Sequence, residues 1–156
     1  MSEYDIMQQA NELFLAKKFI DAIVLYDKIL SHSPENISAL NNKGYSLGKL
    51  KKYQEAIQCY DTALAITPND KTILINKISA LRKTKSFDQA LLYCNQILGH
   101  SPNDNITLYH KERILFSLGN YAESLRCCDM ILQSYPNNAE VLSDREAALA
   151  KLGKDS

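Results

Sequence analysis

Residues 37–70 read ISALNNKGYSLGKLKKYQEAIQCYDTALAITPND, and the proline in this stretch, Pro68, has counterparts at Pro34, Pro102 and Pro136. These are all 4 prolines of the chain, and each stands 34 residues from the next. A fixed period of this length means that one supersecondary unit recurs, each copy burying its apolar face against its neighbour. Other positions keep the register. Ala22, Ala56, Ala90 and Ser124 precede the prolines by twelve, and Leu13, Leu47, Leu81, Leu115 and Leu149 form a further series. Ile6, Leu40, Leu74, Leu108 and Leu142 form another.

Within one period the pattern predicts two helices. Leu40, Gly44 and Leu47 make one apolar stripe, and Ala56, Ile57, Tyr60, Ala63 and Leu64 a second, wider one. Lys51-Lys52 makes a short polar turn between them. Pro68 forces its predecessor out of helical geometry, and Asn69-Asp70 supplies turn and cap chemistry for the next helix. Gly44, Ala56 and Ala63 let the two backbones approach, as Ala10 and Ala22 do in the first copy. The repeats are expected at 3–36, 37–70, 71–104 and 105–138, followed by a capping helix over 139–152 with Leu142 and Leu149 on its inner face. All of 1–156 is read as a single domain.

Composition narrows the function. Lys and Arg number 18, as do Asp and Glu, so no net field recruits nucleic acid or an anionic membrane. The start, Met1-Ser2-Glu3-Tyr4-Asp5-Ile6, lacks a basic and apolar leader, and no apolar run approaches membrane-spanning length, so a cytoplasmic location is expected. Cys59, Cys94, Cys127 and Cys128 lack metal-ligand spacing and read as small core residues; Cys94 and Cys128 stand where Tyr26 and Tyr60 stand in the first two repeats. His32, His100 and His110 do not converge, and no phosphate loop, nucleophile elbow or zinc-helix motif is present. No catalytic residue, metal or cofactor is expected.

Ala39-Leu40-Asn41-Asn42-Lys43-Gly44-Tyr45-Ser46-Leu47, continuing through Tyr53, Ala56, Tyr60, Ala63 and Pro68, resembles the tetratricopeptide repeat, and the resemblance recurs over essentially the whole chain. It implies an all-α fold, a right-handed superhelical solenoid of four helix-turn-helix repeats plus the capping helix. Repeats three and four depart from the pattern, with Ile78 and Glu112 where the family prefers a small residue. Looser or shifted packing is expected there, with Glu112 bending to solvent or bonding a neighbour such as Ser124.

The resemblance also implies that first helices line a concave groove that binds a peptide segment of a partner protein, a non-enzymatic scaffold role. The groove residues expected from repeat position are Asn11, Asn41, Asn42, Tyr45, Asn76, Arg82, Tyr109, His110 and Arg113. Gln8, Asn42, Asn76 and His110 share one position; they form a ladder for an extended backbone or are ordinary solvated side chains. Asn42 and Asn76 are expected to be exposed. Lys49, Arg82, Lys83 and Arg113 bias the middle of the groove positive, with Glu140 and Asp144 negative at the capped end.

The family's chaperone-tail clamp is not matched: Asn11 and Asn42 fit, but Met7, Thr72 and Asn76 hold the basic positions. A stripe of Lys43, Lys77, Lys111 and Arg145 recurs at the period, its stems expected to cover the seams while the charges reach water. Two alternatives stand beside the groove. One is weak self-association through end repeats, where Ile6 and Leu13 begin the stack uncovered. The other is that the chain is a fragment of a larger protein, since Leu152-Gly153-Lys154 resembles the turn into another repeat although Asp155 stands where an aromatic belongs.

Overall fold

The computed structural model describes residues 1–154. Among them the regular elements are all helices: α1 (Glu3–Leu15), α2 (Phe19–His32), α3 (Ile37–Lys49), α4 (Tyr53–Ile66), α5 (Lys71–Lys83), α6 (Phe87–His100), α7 (Asn105–Ser117), α8 (Tyr121–Ser134) and α9 (Ala139–Lys154). Two successive helices fall within each of the stretches 3–36, 37–70, 71–104 and 105–138. Asp155, where the aromatic of a further repeat is missing, lies outside the described residues.

Local chemistry repeats as faithfully as the pattern. The first helices start at side-chain caps: Ser2, Asn36, Asp70 and Asp104 each accept the backbone N–H three residues on, and Asn138 does the same for Val141. These oxygens satisfy N–H groups that have no partner inside the helix. The turn after each first helix uses a left-handed residue, with φ of 59° at Lys17, 63° at Lys51, 59° at Lys85 and 78° at Gly119. Second helices end at Ser33, Thr67, Ser101 and Tyr135, whose φ values of −126° to −136° leave the helical region because a proline follows.

The chain forms two compact units, Met1–Thr84 and a second beginning at Lys85, so the boundary falls between the two helices of the third repeat. In the first unit each helix from α1 to α5 packs on the next, and α3 also touches α1 and α5, which puts the three first helices in one layer. Its core gathers Ala10, Ala22, Tyr26 and Ile29 in one cluster and Leu47, Ala56, Tyr60 and Ala63 in another. Ile6, expected at an uncovered end face, is buried in the first of these clusters. In the second unit α6 packs on α7, α7 on α8 and α8 on α9, around Leu108, Leu115, Cys128, Ile131 and Val141.

Two expectations are corrected here. The inner face of α9 is made by Val141 and Ala148, at 2% and 0% exposed, whereas Leu142 and Leu149 are 39% and 41% exposed. The Leu142 series is buried in earlier repeats by the second helix that follows, and no further helix follows α9 among the described residues. The basic stripe also does not reach water as free charge. Lys43 pairs with Asp27 at 2.5 Å and Lys77 with Asp61 at 2.6 Å. Lys111 Nζ donates to Asn95 Oδ1 at 2.9 Å, and Arg145 Nε to Asp129 at 2.7 Å. Each partner stands on the preceding second helix, sixteen residues back. Lys77 is itself buried, with only 6% exposed.

Glu112 is buried rather than turned to solvent, and the Ser124 hydroxyl donates to its Oε1 at 3.0 Å. The four cysteines are buried free thiols. Burial pushes the Cys127 thiol up to about 11 and the Cys128 thiol up to about 12, with nearby carboxylates including Glu112 adding to both.

Candidate functional site

On the first unit, α1, α3 and α5 bring four asparagines into one hydrogen-bonded chain. Asn76 Nδ2 donates to Asn41 Oδ1 at 2.9 Å, Asn41 Nδ2 to Asn42 Oδ1 at 3.3 Å, and Asn42 Nδ2 to Asn11 Oδ1 at 3.2 Å. The Tyr26 hydroxyl, from the core, closes the chain by donating to the same Asn11 oxygen at 2.9 Å. Burial raises the Tyr26 pKa, a hydrogen bond with Asn42 working the other way. The chain runs in one direction, from the third repeat to the first.

Position within the repeat foretold only part of this. Asn42 and Asn76 are half-buried, not exposed, because neighbouring first helices stand close enough for their amides to meet. Gln8, expected in the same series, is exposed and bonds Tyr4 on its own helix. Asn11 and Asn41, from other repeat positions, take part instead.

Beside Asn76 a cavity of about 280 Å3 opens between α3, α4 and α5. Tyr45, Tyr53 and Tyr60 line it together with Lys49, Lys51 and Lys83. Lys49 Nζ lies 4.9 Å from the centre of the Tyr45 ring, a cation–π contact. Phe14 packs on the same ring at 5.2 Å between centroids. Tyr60 is 2% exposed, and burial pushes its hydroxyl above the ordinary tyrosine range. Its part in a cavity was missed by sequence reasoning, which assigned it to the core. The signal was present: Tyr26 has Asn11 fifteen residues back, and Tyr60 has Tyr45 at that distance, so no amide stands ready for its hydroxyl.

The remaining expected groove residues are Arg82, half-buried on α5, and Tyr109, His110 and Arg113, together on α7 of the second unit. Arg113 Nη2 pairs with Glu140 at 2.6 Å and Asp144 at 3.1 Å, and its guanidinium lies 5.0 Å from the Tyr109 ring centre. Tyr109 also donates to Glu140 at 2.8 Å. Burial works against the Arg113 charge, but Asp144, Tyr109, Glu112 and Glu140 outweigh it and hold the group charged. Of the four cations expected to bias the groove positive, Arg113 is therefore neutralised by the acidic end, since α9 lays Glu140 and Asp144 on α7.

Residues 37–70 match the family model of the tetratricopeptide repeat. That stretch is a tetratricopeptide repeat, and the helices on either side of it keep its 34-residue period. A search of curated protein sequences finds no match. Solved structures give the same fold. A tetratricopeptide repeat protein from Parabacteroides merdae superposes with a TM-score of 0.89 at 21% identity, over 97% of this chain and 60% of that one. MamA from Desulfovibrio magneticus gives 0.84 at 16% identity, over 97% of this chain and 92% of that one. YrrB, described as a tetratricopeptide-repeat protein with an unusual peptide-binding site, gives 0.81 at 20% identity, over 93% and 75%. Among the described residues no cluster of His, Cys, Asp or Glu could hold a metal ion, and no helix is long and apolar enough to cross a membrane.

Proposed function

We propose that this chain is a non-enzymatic scaffold whose repeats bind an extended peptide segment of a partner protein along the first-helix face of the first unit. The asparagine chain carries the reading. A primary amide has two N–H donors, and the chain uses one from each of Asn41, Asn42 and Asn76, leaving the other to meet a peptide carbonyl. Because the amides already hold one another, little side-chain freedom is lost on binding. Tyr45 and Phe14 supply rigid aromatic surface beside them. YrrB, with the same fold, has a peptide-binding site, which supports the assignment by analogy of fold alone. Four buried free thiols suit a reducing compartment, and the proposal places the scaffold in the cytoplasm.

Tyr109, His110 and Arg113 form a separate candidate patch on the second unit. Arg113 is already neutralised by Glu140 and Asp144, so a ligand there would compete with them. The deciding experiment is capture of partners from the source cell by wild type and by Asn76→Ala in parallel, followed by calorimetry on the peptide recovered. The expected result is at least about ten-fold weaker binding by the variant; equal affinity rejects the groove.

A second reading has its own observation. Leu142 and Leu149, seven residues apart on α9, leave an apolar strip exposed at the end of the second unit. Such a strip suits assembly between copies through end repeats. Scattering of the wild type against Leu142→Ser with Leu149→Ser decides it, and a monomer in both rejects assembly.

A further inference from the structure

The cavity beside Asn76 is a donor-lined, cation-rimmed hollow with aromatic walls. None of its lining residues is acidic. Lys49, Lys51 and Lys83 find no carboxylate partner among the described residues, in contrast to the seam lysines Lys43 and Lys77, which are paired. With three lysines and no carboxylate in its lining, the hollow is biased positive.

The base of the hollow adds a second observation. Tyr60 is 98% buried by its 2% exposure, yet its hydroxyl has no hydrogen-bond partner among the described residues and the side chain lines the cavity. In the first repeat the matching hydroxyl, on Tyr26, is satisfied by Asn11. The hydroxyl is not among the fully buried unpaired atoms, so it opens to the hollow, where an occupant that accepts its proton takes the place of water. Tyrosine O–H and lysine N–H all donate, so the occupant's polar end must be an acceptor, and the surrounding charge makes it an anion.

The walls define the rest of the occupant. Tyr45 and Tyr53 present rings, and Ala80 and Gly48 leave the space between them free of bulk. A volume of about 280 Å3 lies at the lower edge of small-ligand pockets, enough for one ring and its head group. Flat aromatic surface packs well against ring walls of this kind.

The geometry points to a binding site for an aromatic group that carries an anion, with its ring between Tyr45 and Tyr53 and its anionic head toward Tyr60 and the three lysines. The source of such a group is either a phosphorylated tyrosine side chain of a partner or a free small aryl acid. The site adjoins the extended-peptide reading at Asn76 and Tyr45, which line the cavity, but its anionic head is held by Tyr60 and the lysines, none of which belongs to the asparagine chain.

The test is titration of the full chain with phenyl phosphate, benzoate, phenol and inorganic phosphate, followed by NMR and calorimetry. Saturable binding of phenyl phosphate and benzoate, with shifts at Tyr45, Tyr60 and Ser79, is expected, phenol and inorganic phosphate binding at least about ten-fold more weakly. Tyr60→Phe keeps the ring and removes the donor, and is expected to lose about ten-fold in affinity. Lys49→Gln with Lys83→Gln, both at exposed positions, should lose as much without touching the core, and so keeps the test valid if Tyr60→Phe folds poorly. A phosphotyrosine peptide that binds more tightly than phenyl phosphate assigns the site to a partner side chain; equal binding assigns it to a free aryl acid. The proposal fails if inorganic phosphate matches phenyl phosphate, if phenol binds as well as benzoate, or if the lysine variant binds like wild type.

Discussion

The Tyr60 ring lies on the bare backbone of Gly44: a Cβ added at Gly44 would stand 2.6 Å from Tyr60 Cε1 and 3.0 Å from Cζ. A rigid ring at that distance must shift to admit a methyl group, so Gly44→Ala should cost about 1–3 kcal/mol despite its better helix propensity. The repeats themselves suggest the compensation. Ala10 and Gly44 are matched sixteen residues on by Tyr26 and Tyr60, whereas Ile78 and Glu112 are matched by Cys94 and Cys128. Gly44→Ile combined with Tyr60→Cys should therefore be more stable than the sum of the two single changes implies. Urea unfolding of the double-mutant cycle measures this, and strict additivity would falsify the size-matching account.

Lys77 and Asp61 make a pair in which only the lysine is buried. Asp61→Ala leaves that ammonium without its carboxylate and should cost about 1–3 kcal/mol, reduced from the value for a fully buried pair because Asp61 is half exposed. Asp61→Asn should cost less, since Lys111 is held by Asn95 at the matching place. Thermal melts of the two variants rank them; equal losses would mean that the carboxylate charge is irrelevant.

Lys17 occupies the left-handed turn position that Gly119 fills in the fourth repeat. A side chain with φ of 59° is strained by about 1 kcal/mol, and glycine removes that strain. Lys17→Gly should raise stability by up to about 1 kcal/mol, less whatever is lost through the freer unfolded chain. A lower melting temperature would show the unfolded-state effect to dominate.

Alkaline pH should unfold the second unit through its thiols. The folded values of Cys127 and Cys128, about 11 and about 12, lie above the ordinary thiol value, so the folded state holds these protons more tightly. Their contribution is fully present below about pH 9 and is lost as pH rises through the folded values. Cys128→Ala should flatten the fall in stability between about pH 9 and 12. Chemical unfolding at a series of pH values is the measurement, and a slope identical to wild type would count against it.

Much of the fold was legible because its determinants are local. Caps at Asn36 and Asp70, the pre-proline exits at Ser33 and Thr67, and the turns at Lys17 and Lys51 each depend on residues within four positions of one another. The candidate site was half legible. Asn11, Asn41, Asn42, Tyr45 and Asn76 were all placed on the first-helix face, but not in the order in which they bond. Arg113 read as one of the charges that bias the groove positive, and it is paired with Glu140 and Asp144. Tyr60 read as core and is core, but it also lines a cavity.

By itself, the sequence determined the period and the succession of helices and turns within it, because propensity, capping and apolar spacing act along the chain. Only the tertiary structure decided which side chains meet. Asn76 reaches Asn41 across 35 residues, Lys77 reaches Asp61 across 16, and Leu142 stays exposed where its counterpart Leu108 is buried. Those outcomes depend on how near the next helix stands and what it carries at the point of contact. A repeat register assigns a residue its position, but a hydrogen bond or a buried contact needs a partner within a few ångströms, and that partner comes from elsewhere in the chain.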